Sequence, residues 1–270
     1  MTSTRLIAAA IGLAIILPLV IWGGVPGTAF VVFTAMVVAL GEYATMAFPE
    51  DVRYAFYWLC LSTLPLAAAS LWAPAGSAVA MAGLVVVLTM SQVTLSVDES
   101  ETMEEAAARM GRLMVGVVWI GGLFPFLVRL RELESGLVWV VLPMVIAWSG
   151  DTGAYFGGRA LGRTALAPAI SPKKTVEGLA MGTMATVIGV LAVKLAWLPA
   201  LGIVDCLGLA LLGSGVAVVG DLSESLLKRA HHVKDSGWIL PGHGGMLDRV
   251  DSLLFVAPLV YAWAVIVKGY

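Results

Sequence analysis

The chain has 270 residues, of which 60% are hydrophobic and only 13% charged, with a mean hydropathy of +0.94. That balance excludes a water-soluble domain and makes the bilayer the solvent of most of the chain. The net charge of −2 gives no basis for a nucleic-acid partner, so the placement of the charges matters more than their sum. Cys60 and Cys206 both lie in apolar runs. They read as small core side chains, not as a disulfide or a metal site.

A span needs about 20 mostly apolar residues. Leu6–Trp22, preceded by Arg5, is the first such run, and the runs that follow it favour an uncleaved span over a signal peptide. After the tight Gly23–Gly27 connection comes Thr28–Phe48, which carries Glu42. A carboxylate inside a span is a functional candidate, although Glu42 is near enough to the helix end to snorkel. The third run is Tyr54–Trp72, with Pro65 as a kink, and the fourth is Ser77–Leu95. Asp98–Arg112 places Met103, Ala107, Met110 and Met114 on one helical stripe, and reads as an amphipathic connector on the membrane surface. Leu113–Val128 is the fifth run. Leu137–Phe156 is the sixth, with its apolar pattern broken at Ser149-Gly150-Asp151 and a basic loop, Gly157–Thr175, behind it. Leu179–Leu198, Ile203–Leu227 and Leu253–Val267 complete the set, and Gly178 with Gly182 forms a small-xxx-small pair suited to close packing.

The fold class expected is therefore an all-α polytopic integral membrane protein of about nine transmembrane helices with cytoplasmic polar loops. It divides into an N-terminal part, residues 1–112, and a C-terminal part, residues 113–270, that carries the polar loops. With nine spans, twelve of the sixteen Lys and Arg residues fall on one side; Arg129, Arg131, Lys194 and Lys268 fall on the other. The positive-inside rule makes the first side cytoplasmic, so the expected location is the cytoplasmic (inner) membrane, with the polar loops facing the cytoplasm.

The most polar stretch is Ser225–Asp251. Asp221, Ser225 and Lys228 stand at i, i+4 and i+7 and share one helical face, with Glu224 beside it. An acid followed by Lys228 and Arg229 suits a metal and an anion. Mg²⁺ takes oxygen ligands, typically one or two carboxylates plus substrate phosphates. Asp248 and Asp251 form a second acidic pair before the last span, so Asp221 and Asp248 make a two-carboxylate metal candidate at facing helix ends. Between them, Gly242, Gly244 and Gly245 either make a sharp turn or supply an N–H nest for an anion. With Lys228, Arg229, Lys234 and Arg249 beside Asp235, Asp248 and Asp251, the anion reading is the stronger. His243 suits a phosphate hydrogen-bond donor. Asp151 reads equally as a helix-end charge or as a site residue. Lys173 and Lys174 read first as topogenic charges.

These residues resemble the phosphatidate cytidylyltransferase (CDP-diacylglycerol synthase) family. The similarity lies in Ser225-x-x-Lys228-Arg229, Lys234-Asp235-x-Gly237, and Pro241-Gly242-His243-Gly244-Gly245-x-x-Asp248-Arg249-x-Asp251. It extends to Asp151-x-x-Ala154-Tyr155-x-x-Gly158-Arg159 and Ser171-Pro172-Lys173-Lys174-Thr175-x-Glu177-Gly178, and so covers about the second half of the chain. The resemblance implies CTP and phosphatidic acid as substrates and CDP-diacylglycerol and pyrophosphate as products. It implies Mg²⁺ at Asp221 and Asp248, with a monovalent cation as a further candidate, and a homodimer. Arg159, Ser171, Lys173, Lys174, Thr175, Ser225, Asp235, His243, Gly244, Gly245 and Asp251 become substrate-binding candidates with Asp151. Lys228, Arg229, Lys234 and Arg249 become the bases that share the phosphate charge. Two alternatives stand beside this reading. One is a CTP-dependent polyprenol or phytol kinase, which would need a general base such as Asp151 or Asp235. The other is a transporter of an anionic solute or lipid, with Glu42 and Asp151 lining its path.

Overall fold

The computed structural model describes residues 12, 14–72, 102–237 and 244–270. Seven helices among these are long and apolar enough to cross a membrane. They coincide with seven of the nine expected runs. The run at Leu6–Trp22 is described only in part, helical over 14–21, and Ser77–Leu95 lies outside the described residues. The chain is an all-α polytopic membrane protein.

The helices are α1 (Gly24–Ala47), α2 (Val52–Trp72), α3 (Met103–Gly116), α4 (Pro125–Glu132), α5 (Gly136–Leu161), α6 (Val176–Ala196), α7 (Ile203–Ala230) and α8 (Leu247–Ala262). One π-turn, Val117–Gly121, follows α3 and another, Trp263–Val267, follows α8. The chain forms two compact units, Val32–Pro125 and the remainder.

In the Val32–Pro125 unit, the buried Tyr43 donates its hydroxyl to the Arg112 carbonyl at 2.7 Å. α3 opens on a capping box in which Thr102 and Glu105 satisfy each other's backbone N–H groups. Of the connector expected at Asp98–Arg112, residues 98–101 lie outside the described residues, and the rest is helical and continues through Leu113 to Gly116. Met103–Glu132 is long and apolar enough to cross a membrane, and α3 carries the amphipathic turns directly into the apolar ones.

The other unit carries α5 to α8. Successive helices alternate in direction, so the end of α5, the start of α6, the end of α7 and the start of α8 meet at one end. Apolar residues face inward, among them Trp139, Leu142 and Ile146 of α5, Leu209 of α7 and Leu254 and Val260 of α8. Ile188, Leu195, Leu211 and Val219 point outward, as a lipid-facing surface requires. Gly178 and Gly182 let α5 and α6 touch: a Cβ on Gly182 would stand 2.7 Å from the Gly150 carbonyl. At the opposite end, Lys268 bonds Asp205 at 2.9 Å, and Asp205 also accepts from the Trp263 indole at 3.2 Å.

Two local features differ from expectation. The loop after α5 contains an antiparallel hairpin, β1 (Ala165–Ala167) and β2 (Ser171–Thr175). α5 also runs unbroken past Ser149-Gly150-Asp151, since Ser149 and Thr152 turn their hydroxyls back onto the Val145 and Trp148 carbonyls. Asp151 therefore lies within the helix, not at its end.

Candidate active site

The polar end of the α5–α8 unit is assembled by two close approaches. Thr175 caps α6, accepting from the Gly178 amide at 3.0 Å, and this fixes β2 directly onto the helix start. Glu177 in the first turn accepts from the amides of Arg163 (3.0 Å) and Thr164 (3.1 Å) and from the Thr164 hydroxyl (2.9 Å). The hairpin is thus tied at both of its ends, and the Lys174 ammonium pairs with Asp221 of α7. The second approach is at Gly220, where a Cβ would stand 2.7 Å from the Asp251 carbonyl and 2.9 Å from the Phe255 ring. Only glycine lets α7 and α8 cross there, and the crossing sets Asp221 beside the first turns of α8.

Three carboxylates converge as a result. Asp151 and Asp251 are each within electrostatic reach of Asp221, and Asp251 of Asp151. A cavity of about 290 Å³ opens beside Asp221 and Asp151. Its polar wall is completed by Lys173, Lys174 and Thr175, and its apolar wall is Ala154, Leu166, Leu179 and Val218. A smaller cavity of about 80 Å³ is lined by Asp151, Asp248, Arg249 and Asp251. Asp151 belongs to both.

Asp248 is held differently. Its Oδ1 accepts from Lys228 at 2.6 Å, and its Oδ2 accepts from the Ser236 amide (3.0 Å), the Ser236 hydroxyl (2.9 Å) and the Gly245 amide (2.8 Å). Gly244 has a φ of +81°, a conformation that side chains disfavour, and turns the chain so that the Gly245 N–H faces this carboxylate. The Gly245 amide therefore serves Asp248. Lys228 also pairs with Glu224, one turn back on α7, which is 1% exposed. Asp221 is more lightly held, by Lys174 and by the Ser225 hydroxyl at 3.3 Å.

The remaining candidates surround this centre. Arg229 reaches the Ile170 carbonyl at the hairpin turn, at 3.4 Å. Ser171 starts β2. Arg159 is exposed and stands 3.5 Å from the Tyr155 hydroxyl. Lys234 and Asp235 are exposed on the loop between α7 and α8, away from the two cavities' linings. Pro241, Gly242 and His243 lie outside the described residues. Glu177 is named from sequence only within the matched pattern and Glu224 only beside the Asp221 face, and Ser236 not at all. Glu224 had a readable signal, since a Glu four residues before a Lys is the favoured helical ion-pair order. Ser236 had none, because it and Asp248 stand twelve residues apart in the chain.

The donor set can be tested against a divalent cation. Among the described residues, no three Asp, Glu, His or Cys side chains form a ready-made metal cage. A hard cation of the Mg²⁺ type needs none, since it binds through one or two carboxylates together with phosphate and water oxygens. Asp221 fits this role, because its two partners are a flexible lysine and one long hydroxyl contact. Asp248 has Oδ1 left to share, while Oδ2 already accepts three donors.

The sequence comparisons agree with the geometry. The cytidylyltransferase family model matches residues 3–267. The phosphatidate cytidylyltransferase of Bacillus subtilis (strain 168) is 37% identical over 270 residues, covering 95% of both chains. That of Staphylococcus aureus (strain COL) is 34% identical over 256 residues, covering 95% of this chain and 96% of its own. That of Synechocystis sp. (strain PCC 6803) reaches 46% identity over 137 residues, half of this chain. With a match of this extent, the chain belongs to the cytidylyltransferase family.

Proposed function

We propose that the chain is a phosphatidate cytidylyltransferase, converting CTP and phosphatidic acid to CDP-diacylglycerol and pyrophosphate at the cytoplasmic face of the inner membrane. The observation that carries this reading is the 290 Å³ cavity, with lysines and carboxylates on one wall and aliphatic side chains on the other. An amphiphilic phosphate needs both walls. The family match supplies the nucleotide half of the reaction.

A phosphate oxygen of phosphatidic acid attacks the α-phosphorus of CTP. The new P–O bond forms as the bond from the α-phosphorus to the bridging oxygen breaks, and the electron pair leaves with pyrophosphate. The nucleophile is already anionic, so no strong general base is required. The barrier comes from bringing two anions together and from the charge that grows on the leaving group. Positioning and charge neutralisation are then the protein's contribution.

Lys173 and Lys174 line the cavity and bind the lipid phosphate; Arg249, on the smaller cavity, and Arg229, at the hairpin turn, neutralise the nucleotide phosphates. Lys174 exchanges Asp221 for phosphate as substrate enters. Lys228 has a different part, since it is shared between two carboxylates and carries no net charge to a substrate. It fixes the loop through Asp248. A divalent cation held by Asp221, with Asp248 and Asp251 as the neighbouring carboxylates, would neutralise phosphate oxygens and stabilise the departing pyrophosphate.

The test is purified protein in mixed micelles with phosphatidic acid, CTP and Mg²⁺, assayed for pyrophosphate and CDP-lipid with and without EDTA. Equimolar pyrophosphate and CDP-diacylglycerol, abolished by EDTA, is the expected result. Release of CDP with phosphorylation of a lipid alcohol would replace the reading with a kinase. No covalent product from either acceptor would return the transporter reading.

A further inference from the structure

Glu224 is the most completely buried acid at the polar end, and the chemistry above does not use it. One oxygen faces the Lys228 ammonium. Asp248 lies within hydrogen-bond reach of the same carboxyl group. Lys228 is thus gripped by two acids from different segments: Glu224 on its own helix and Asp248 at the start of α8, at 2.6 Å. Glu224 thus brings a second carboxyl group against a Lys228–Asp248 pair that is already balanced.

That arrangement is not what stability alone would select. The Lys228–Asp248 pair is already neutral, and a further buried polar group is a desolvation burden that an apolar side chain of similar volume would remove. We infer that Glu224 is a positioning residue for the cytidylyl-transfer site: it fixes the Lys228 ammonium from the helix side, so that Lys228 holds Asp248, and through it the Gly244-Gly245 turn and the first turn of α8, in one register. Ser236 and Gly245 both hang on the other oxygen of Asp248. Asp251 follows one turn later and reaches the Asp221 cluster. Freed from Glu224, the lysine swings on its four-carbon stem, and the loop and Asp251 shift with it. A displacement of about 1 Å in catalytic groups is enough to lower turnover by up to about a hundred-fold while substrates still bind.

The inference rests on the cytidylyl-transfer reading, so the unmodified protein is assayed first. If it makes no CDP-lipid, that reading fails, and this inference with it. With activity established, Glu224→Leu is expected to lower kcat by at least about ten-fold and leave KM for both substrates within about three-fold. Its thermal midpoint should be equal to or above that of the unmodified protein. Glu224→Gln keeps an acceptor oxygen for the ammonium and is expected to retain at least about a third of kcat. A Glu224→Leu protein with unmodified turnover would overturn the inference. So would a parallel fall of kcat and thermal midpoint, which marks a residue needed only for folding. A Glu224→Gln protein as inactive as Glu224→Leu would also overturn it, because the acceptor geometry would then not be what matters.

Discussion

Asp248→Asn is the most informative single change, because all four partners of this carboxylate are donors. An amide presents an oxygen on one side only. With its oxygen toward Ser236 and Gly245, its NH₂ faces the Lys228 ammonium; turned over, it faces three N–H or O–H groups. Either orientation breaks at least one charge-assisted bond, worth about 1.5–3 kcal/mol, and sets a donor against a donor. Removing one partner of a buried ion pair costs about 3–5 kcal/mol. Lys228 retains Glu224, so the lower end, about 3 kcal/mol, is expected. For a chain of this size that corresponds to a fall of roughly 6–12 °C in Tm. Asp221→Asn is the control. Its carboxylate is a quarter exposed and holds one lysine and one long hydroxyl contact, so its cost is below about 1 kcal/mol. Both changes should remove nearly all CDP-lipid formation, but only Asp248→Asn should lower the melting temperature measured in micelles by more than a few degrees. Equal Tm values for the two variants would refute the division of labour between these acids.

Other predictions follow from the same geometry. Lys174→Met removes a cavity-lining base and should lower kcat/KM for phosphatidic acid by about a hundred-fold, as expected for loss of a charged contact to phosphate, measured at fixed CTP. Gly220→Val drives a side chain into the Asp251 carbonyl and the Phe255 ring, and should cost activity and about 1–3 kcal/mol of stability by overpacking, read as a Tm shift. Lys268→Met at the opposite end breaks its bond to Asp205, and should lower Tm by a few degrees with unchanged turnover, since about 1 kcal/mol is involved. EDTA should stop product formation, and added Mg²⁺ should restore it in a titration.

Apolar run length was legible from sequence, since a helix is the only open segment that satisfies its own backbone in lipid. α1, α2 and α5 to α8 lie where the runs lie. Boundaries were less legible. The amphipathic turns before Leu113 read as a connector because their polarity changes, yet α3 runs on through Leu113 to Gly116. The apolar pattern breaks at Asp151, yet α5 continues because local hydroxyls fold onto its own carbonyls. The hairpin was hidden by its composition: Ser171-Pro172-Lys173-Lys174-Thr175 has no alternating apolar pattern, and its pairing depends on Glu177 clamping Arg163 and Thr164 from the next helix. At the site, spacing along one helix put Asp221 and Ser225 on one face, and their bond agrees with it. Spacing could not reveal the partners of Asp248, because they come from a loop and from a helix twenty residues away.

The contrast between these two acids bears on how a membrane-embedded site handles charge. A carboxylate with four donors is fixed and nearly neutralised, and it serves as scaffold. A carboxylate held by one lysine and one long hydroxyl contact exchanges partners at little cost, and in the proposed reaction it would accept a cation as the lysine transfers to phosphate. The reaction requires both kinds. Two polyanions must meet next to lipid, so neutralising groups have to move onto them as they arrive. The Gly244-Gly245 turn that holds Asp248 cannot move at the same time without losing alignment. Asp221 with Lys174 forms the exchangeable pair, at a cavity that opens between lysines and aliphatic side chains. Asp248 with Lys228 and Glu224 forms the fixed one, buried at the junction of α7 and α8. Because the close approach at Gly220 sets Asp251 against Asp221, the fixed cluster also determines where the exchangeable pair sits.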